Sequence, residues 1–238
     1  MVALICVDIG NQNLKFAKFS ANGDMIEVQS TPKTNSLSIL DTLSNQVPII
    51  LSDVSGITDS MELKNTITRV HAELKLPFSI GYNSTTTLGT DRLCSIAGAS
   101  YLKPQSNCLV FNLGTCLTID FIDDAGNYKG GNISPGLTLR YKSLHEFTAK
   151  LPMIAPTDST ELIGKNTSSA ISNGVQNGLL AELEFYINRF ASTAPQLNIF
   201  LTGGDAVYFE KQLKTKIFAA PYLTLYGLFN IAKFNGII

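Results

Sequence analysis

The sequence predicts an α/β protein made of two similar halves. Two observations carry this reading. Strand-like apolar runs alternate with stretches of helical periodicity in both halves of the chain, and a strand-turn-strand segment near the start recurs 104 residues later. In the first half, Leu4 to Val7 reads as a buried strand, and Leu14, Phe16 and Phe19, with Lys15 and Lys18 between them, as a second strand exposing one face. Gly10-Asn11 between them is hairpin-turn chemistry. Ile49 to Leu51 reads as a further strand. Ser60 to Leu74 reads as a helix, apolar at Met61, Leu63, Ile67 and Val70, and Asp91 to Leu102 as another, apolar at Leu93, Ile96 and Ala97. The boundary falls near Lys103-Pro104-Gln105-Ser106, dividing residues 1–103 from 104–238.

The second half opens with C-L-V-F-N-L-G-T-C-L-T-I-D-F at 108 to 121, placing Asn112 where Asp8 was, Gly114 where Gly10 was and Thr115 where Asn11 was. A period of that length is too long for a solenoid unit. Further on, Ser168 to Phe190 carries Ile171, Val175, Leu179, Leu180, Leu183 and Ile187 at helical spacing, and Leu197 to Thr202 is a strand closed by Gly203-Gly204.

Composition narrows the function classes. With 238 residues and 45% apolar content the chain can bury a real core, and its formal charge of -1, without any basic cluster, supplies no footprint for nucleic acid or an anionic membrane. The apolar run at Val2 to Val7 is too short for a signal segment and leads straight into Asp8, and no later run reaches membrane-spanning length. A cytoplasmic location is expected. Cys6, Cys94, Cys108 and Cys116 lack C-x-x-C spacing and read as buried thiols, while two histidines, His71 and His145, leave little for a histidine-based metal centre.

The chain contains neither G-x-x-x-x-G-K-[ST] nor a G-x-G-x-x-G after a strand, which removes the P-loop and the Rossmann dinucleotide site. Two glycine-turn hairpins facing each other across a cleft offer another phosphate device: backbone N–H groups and hydroxyls aimed at a polyphosphate, Asp8 holding hydrated Mg2+ and Lys15 neutralising charge. Asp8 and Asn11 equally suit a plain turn, and the wider set of motifs has to decide.

That set is D-I-G-N-Q-N-L-K at 8 to 15, Y-N-S-T-T-T-L-G-T-D-R at 82 to 92, N-L-G-T-C-L-T-I-D at 112 to 120, G-G-N-I-S-P-G-L at 130 to 137, I-G-K-N-T at 163 to 167 and L-T-G-G-D at 201 to 205, with A-P-Y-L-T-L-Y-G-L closing near Leu228. Together these resemble the type III pantothenate kinases, members of the actin-like, sugar-kinase and acetate-kinase superfamily. The resemblance implies two ribonuclease H-like halves with the active site in the cleft between them. It also implies phosphorylation of pantothenate by ATP, the first step of coenzyme A synthesis, in a homodimer needing Mg2+ and a monovalent cation, K+ or ammonium.

Carried over by position, Asp8, Ile9, Gly10, Asn11, Gln12, Asn13, Leu14 and Lys15 bind the nucleotide, with Asp8 on Mg2+ through water and Thr115 meeting the phosphates from the second hairpin. Tyr82, Gly89, Thr90, Asp91, Arg92 and Thr167 hold pantothenate, and Asp91 is the proton acceptor. Taken alone, Asp91 reads as the first-turn acid of an ordinary helix start, Arg92 as a surface helix residue and Thr167 as an N-cap. Gly203-Gly204 lets an adenosine lie against the backbone or simply makes a tight turn, and Asp120 and Asp123 read as solvated hairpin positions, with a second reading in which Asp120 helps order the cleft.

Two departures stand out: Gln12 where the family has threonine, and Asn112 where it has the aspartate of the monovalent-cation position. The second keeps other readings open, a non-catalytic nucleotide-binding relative acting as a transcriptional accessory factor, or a superfamily kinase for another small alcohol or acid.

Overall fold

The computed structural model describes residues 1–238 apart from 44–46, 61–65, 72–73, 82 and 85–86. Its contacts divide the chain into two compact units: Met1–Gln105 with Asp124–Gly130 and Tyr222–Ile238, and Ser106–Asp123 with Gly131–Pro221. A single cut between 103 and 104 therefore misplaces the C-terminal segment, which packs with the first unit.

The first unit is built on strand β1 (Leu4–Ile9), whose six residues are apolar except Asp8. Such a run is buried on both faces, and it sits at the centre of the sheet accordingly. Strand β2 (Asn13–Phe19) pairs antiparallel with it, β3 (Met25–Pro32) lies outside β2, helix α1 (Ser36–Leu43) leads to β4 (Ile49–Asp53), parallel to β1, and β5 (Ile67–Arg69) follows β4. The order is β3-β2-β1-β4-β5.

Ile5, Val7, Ile9, Leu14, Phe16, Ile49 and Leu51 face Leu40 and Leu43 of α1. Leu4, Cys6, Ala17, Phe19 and Ile50 face the other way, packed with helices α2 (Thr90–Leu102) and α6 (Leu223–Phe234). Strand β2 is thus covered on both faces, and Phe19 lies on the side opposite Phe16, which corrects the expected exposed face. The Phe19 ring stacks on Phe229 at 5.0 Å; burying a side chain of this size stabilises by roughly 1.5–3 kcal/mol.

Helices α2 and α6 meet backbone to backbone. A Cβ on Gly227 would stand 1.7 Å from the Cys94 carbonyl oxygen, and one on Gly98 would stand 2.2 Å from that of Leu223. Only glycine permits that approach. The helix expected over Ser60 to Leu74 is not formed at residues 67–69, which are β5; β-branched Ile67 and Thr68 complete a parallel edge beside β4. Met61 and Leu63 lie outside the described residues. A short strand β6 (Ser79–Ile80) pairs with Asn127 and Tyr128.

The second unit repeats the pattern. Strands β7 (Cys108–Leu113) and β8 (Cys116–Ile122) form a hairpin, β9 (Asn127–Pro135), which belongs to this unit from Gly131 on, adjoins β8, and β10 (Asn198–Thr202) and β11 (Phe218–Ala219) extend the other side in parallel. The sheet runs β11-β10-β7-β8-β9-β6, and its first five strands correspond in order to β5-β4-β1-β2-β3 of the first sheet. Its core gathers Leu109, Phe111, Leu117 and Ile119 from the sheet with Leu137 and Tyr141 of α3 (Leu137–Glu146), Leu179 and Leu183 of α4 (Thr167–Ala191) and Phe209 of α5 (Ala206–Glu210).

The repeat is not uniform. In the first hairpin Ile9 pairs with Leu14, leaving residues 10–13 to turn; in the second Leu113 pairs with Leu117, leaving only 114–116. The offset of 104 holds through the turn's first residues and becomes 103 in the returning strand. Asp120 also departs from expectation: it is 1% exposed, not a solvated hairpin position.

Candidate active site

Of the expected site residues, the first unit brings the acids together. Asp8 stands at the C-terminal end of β1, opposite Lys15 on β2 and Ser52 on β4, and on the face that α2 and α6 cover. Its Oδ2 accepts a hydrogen bond from the Thr224 hydroxyl at 3.1 Å. Its Oδ1 is buried and has no hydrogen-bond donor among the described residues. Burial pushes the Asp8 carboxyl up from 3.8 to about 6, the Asp91 carboxylate adds to the rise, and Thr224, Lys15 and Ser52 oppose it. An acid raised by burial and by a neighbouring carboxylate favours its neutral form unless a cation joins it.

Asp91 lies in the first turn of α2, after Gly89 as N-cap. Its Oδ1 accepts the Arg92 N–H at 2.8 Å, and a Cβ on Gly89 would stand 2.7 Å from that same oxygen. The glycine leaves room for the acid to fold back over the helix start. Thr90 and Ser52 hydroxyls lie 3.0 Å apart, tying the start of α2 to the end of β4. Arg92 is 4% exposed, so it is not a surface helix residue.

The nucleotide segment divides in two. Ile9 and Leu14 are core side chains at 0% exposure and can offer a ligand only backbone, whereas Asn11, Gln12 and Asn13 are exposed in the turn and Lys15 is partly buried. Tyr82 lies outside the described residues.

In the second unit, Asn112 and Thr115 flank Gly114, and the Asn112 Oδ1 lies 3.6 Å from where a Gly114 Cβ would be. The turn is braced by Gly136, whose N–H donates to the Thr115 carbonyl at 3.1 Å, and by Gly203, at φ +97° against the Leu113 backbone. Thr167 is the first residue of α4, exposed, and the N-cap is Asn166, which closes a capping box with Ser169. Thr167 lines a groove of about 660 Å3 with Arg140, Ser143, Leu144, Ile171 and Val175. Asp205, ahead of α5, has its carboxyl raised by burial.

Ser52 and Thr224 stand at the candidate site although little in the sequence marks them. Ser52 ends an apolar strand as its one polar residue before Asp53, and Thr224 sits in the closing A-P-Y-L-T-L-Y-G-L segment, where helical apolar spacing hides a lone hydroxyl.

The strand order, repeated in both units, defines the class: a protein of the actin-like ATPase and sugar-kinase fold. Two solved structures share that architecture: a candidate Baf family transcriptional activator from Campylobacter jejuni (TM-score 0.69, 20% identity, 98% of this chain and 100% of the other) and the activator of 2-hydroxyisocaproyl-CoA dehydratase from Clostridium difficile with bound ADPNP (TM-score 0.59, 11% identity, 98% and 95%). In sequence, the profile of the type III pantothenate kinases matches residues 4–189, and the type III pantothenate kinase of Cytophaga hutchinsonii is 39% identical over 237 residues, 97% of this chain and 99% of its own. The chain belongs to the type III pantothenate kinase family.

The raised carboxyl of Asp8 has a measurable cost. In the unfolded chain the group releases its proton near 3.8, in the folded protein near 6, so its contribution to stability is greatest below about pH 4 and is lost as pH rises to about 6. Asp8→Asn removes the titration. The variant without ligand should melt above wild type at about pH 8, by at most about 3 kcal/mol, with the advantage shrinking from about pH 6 to pH 4. Calorimetric melting of both proteins across that range checks it, and an advantage that does not vary with pH contradicts a destabilised carboxylate.

Proposed function

We propose that the protein transfers the γ-phosphoryl group of ATP to the primary hydroxyl of pantothenate, giving 4'-phosphopantothenate at the start of coenzyme A synthesis in the cytoplasm. The observation that carries this reading, within a chain of this family, is the Asp8 and Asp91 pair: one acid to engage a cation, the other to take a proton. Asp91 accepts the hydroxyl proton as the substrate oxygen bonds to the γ-phosphorus and the bond to the ADP oxygen breaks. Its place in the first turn of α2, with Gly89 leaving it room, supports that role.

Arg92 pairs with the carboxylate of pantothenate, where a planar guanidinium suits a bidentate partner. Gly89, Thr90, Tyr82 and Thr167 complete the substrate contacts. The turn from Gly10 to Asn13, with Lys15, receives the nucleotide phosphates, and Thr115 shares that task.

The residues at Asp8 fit Mg2+. A buried Oδ1 without a protein donor, beside a second carboxylate, is the environment a hydrated cation would relieve. Bound there through water, Mg2+ would supply charge neutralisation on the phosphates.

In the second unit, Asn112 occupies the monovalent-cation position with a neutral oxygen, and the cation is held more weakly for want of a full charge. The subunits pair as a homodimer, a reading that rests on the family resemblance alone.

Three measurements test these assignments. Purified protein should release ADP from ATP and Mg2+ only when pantothenate is added, and Asp91→Asn should lower kcat by roughly 10²- to 10⁴-fold with nucleotide affinity little changed; undiminished turnover in the variant rejects Asp91 as the base. ADP release against K+ concentration should show weak activation in the wild type, and Asn112→Asp should reduce the half-activating concentration by about tenfold. Superimposable curves saturating at low K+ would mean that other groups hold the cation. Light scattering should return twice the chain mass, and a monomer mass across micromolar concentrations rules the dimer out.

A further inference from the structure

Thr224 is 7% exposed and lies between Leu223 and Leu225, both fully buried. A valine would fill that place without burying a hydroxyl, so the hydroxyl calls for an explanation. It is not a helix cap: the N-cap of α6 is Tyr222, with no side-chain capping bond. The hydroxyl donates to Asp8 Oδ2 at 3.1 Å, although the two residues are 216 apart in sequence.

Several contacts fix where that donor points. A Cβ on Gly98 would meet the carbonyl oxygen of Leu223, the residue just before Thr224. One turn later the Gly227 backbone meets Cys94, Phe229 stacks on Phe19, and the Asn230 side chain donates to the Ala97 carbonyl at 3.0 Å. The β-branched side chain of a helical threonine has few χ1 choices. The first turn of α6 is thereby held at the end of β1.

We propose that Thr224 is a positioning residue for phosphoryl transfer: its hydroxyl fixes Oδ2 of Asp8, and so turns the buried, donorless Oδ1 towards the hydrated cation that accompanies the nucleotide. The C-terminal helix is then part of the catalytic apparatus of the first unit and not only a cover for its sheet. The inference rests on the cation role of Asp8 proposed above, and it extends that role to a residue outside the nucleotide and pantothenate motifs.

Calorimetric titration of the full-length protein with Mg2+ and a non-hydrolysable ATP analogue tests it without turnover. Thr224→Val keeps the shape and removes the donor. It should raise the dissociation constant of the Mg–nucleotide complex about tenfold, while binding of the analogue in EDTA changes little, and Thr224→Ser should restore affinity to within about threefold of wild type. If Thr224→Val fails to fold, Thr224→Ala supplies the same reading. Affinity unchanged in a folded variant lacking the hydroxyl, or a loss equal with and without Mg2+, overturns the positioning role. A wild type that binds Mg–nucleotide but releases no ADP with pantothenate rejects pantothenate as substrate and leaves the Thr224 result to stand on its own, whereas a wild type that binds no Mg–nucleotide overturns both.

Discussion

Where α2 and α6 cross, two carbonyl oxygens occupy the space that side chains would take on Gly98 and Gly227, and the polar groups at the end of β1 are aimed by that contact. Helix axes normally stay 8–10 Å apart because side chains intervene. Here glycine removes the spacer at one point on each helix, so the start of α6 reaches Asp8 with a side chain as short as threonine. The same crossing fixes the first turn of α2, which carries Asp91, relative to the strand that carries Asp8. The carboxylate pair therefore depends on helix packing rather than on the hairpin turn whose sequence first draws attention.

The second unit solves a similar problem with different parts. Its hairpin turn is one residue shorter than the first, and its backbone is held from outside: the Gly136 N–H meets the Thr115 carbonyl, and the Asp205 N–H meets that of Leu113. Both braces come from glycine-containing segments, G-G-N-I-S-P-G and L-T-G-G-D, which gives those motifs a physical role at the turn whatever they do for a ligand. A shorter, braced turn presents Thr115 with less freedom than the exposed Asn11 to Asn13 loop, and tolerates less change.

Much of this was legible in the sequence, and the gaps have identifiable causes. The central strands were plain because Leu4 to Ile9 and Cys108 to Leu113 are apolar runs interrupted by one polar residue each, and the duplication made each support the other. Residues 67–69 misled because Ile67 and Val70, three apart, satisfy helical spacing as readily as a short edge strand, whose pairing with β4 is a tertiary fact. Phe19 looks like a partner of Phe16 because both are large and apolar, but strict alternation puts odd and even residues of β2 on opposite sides. Asp91 and Arg92 could be named from their motif, but the burial of Arg92 and the approach of Asp91 to Asp8 could not. Thr224 was the hardest to find, because a hydroxyl among leucines on a helix carries no local signal and its acceptor lies at the other end of the chain.

The electrostatics of the Asp8 site give a reason for this arrangement beyond packing. A carboxylate placed where burial raises it to about 6 is poorly solvated when ionised, and a second acid nearby makes its charge costlier still. A plain turn would have no use for such a group, since asparagine would bond the backbone as well without a buried charge. On the proposed reading, the acid meets something positive that arrives with the ligand. The neighbouring residues restrain it only partly: Thr224 donates to one oxygen, Lys15 and Ser52 offset some of the burial, and Oδ1 is left without a donor among the described residues. Complete hydrogen bonding would have made the folded protein more stable and the oxygen less able to meet a cation, so under the proposed function the unsatisfied atom is a destabilisation that cation binding relieves.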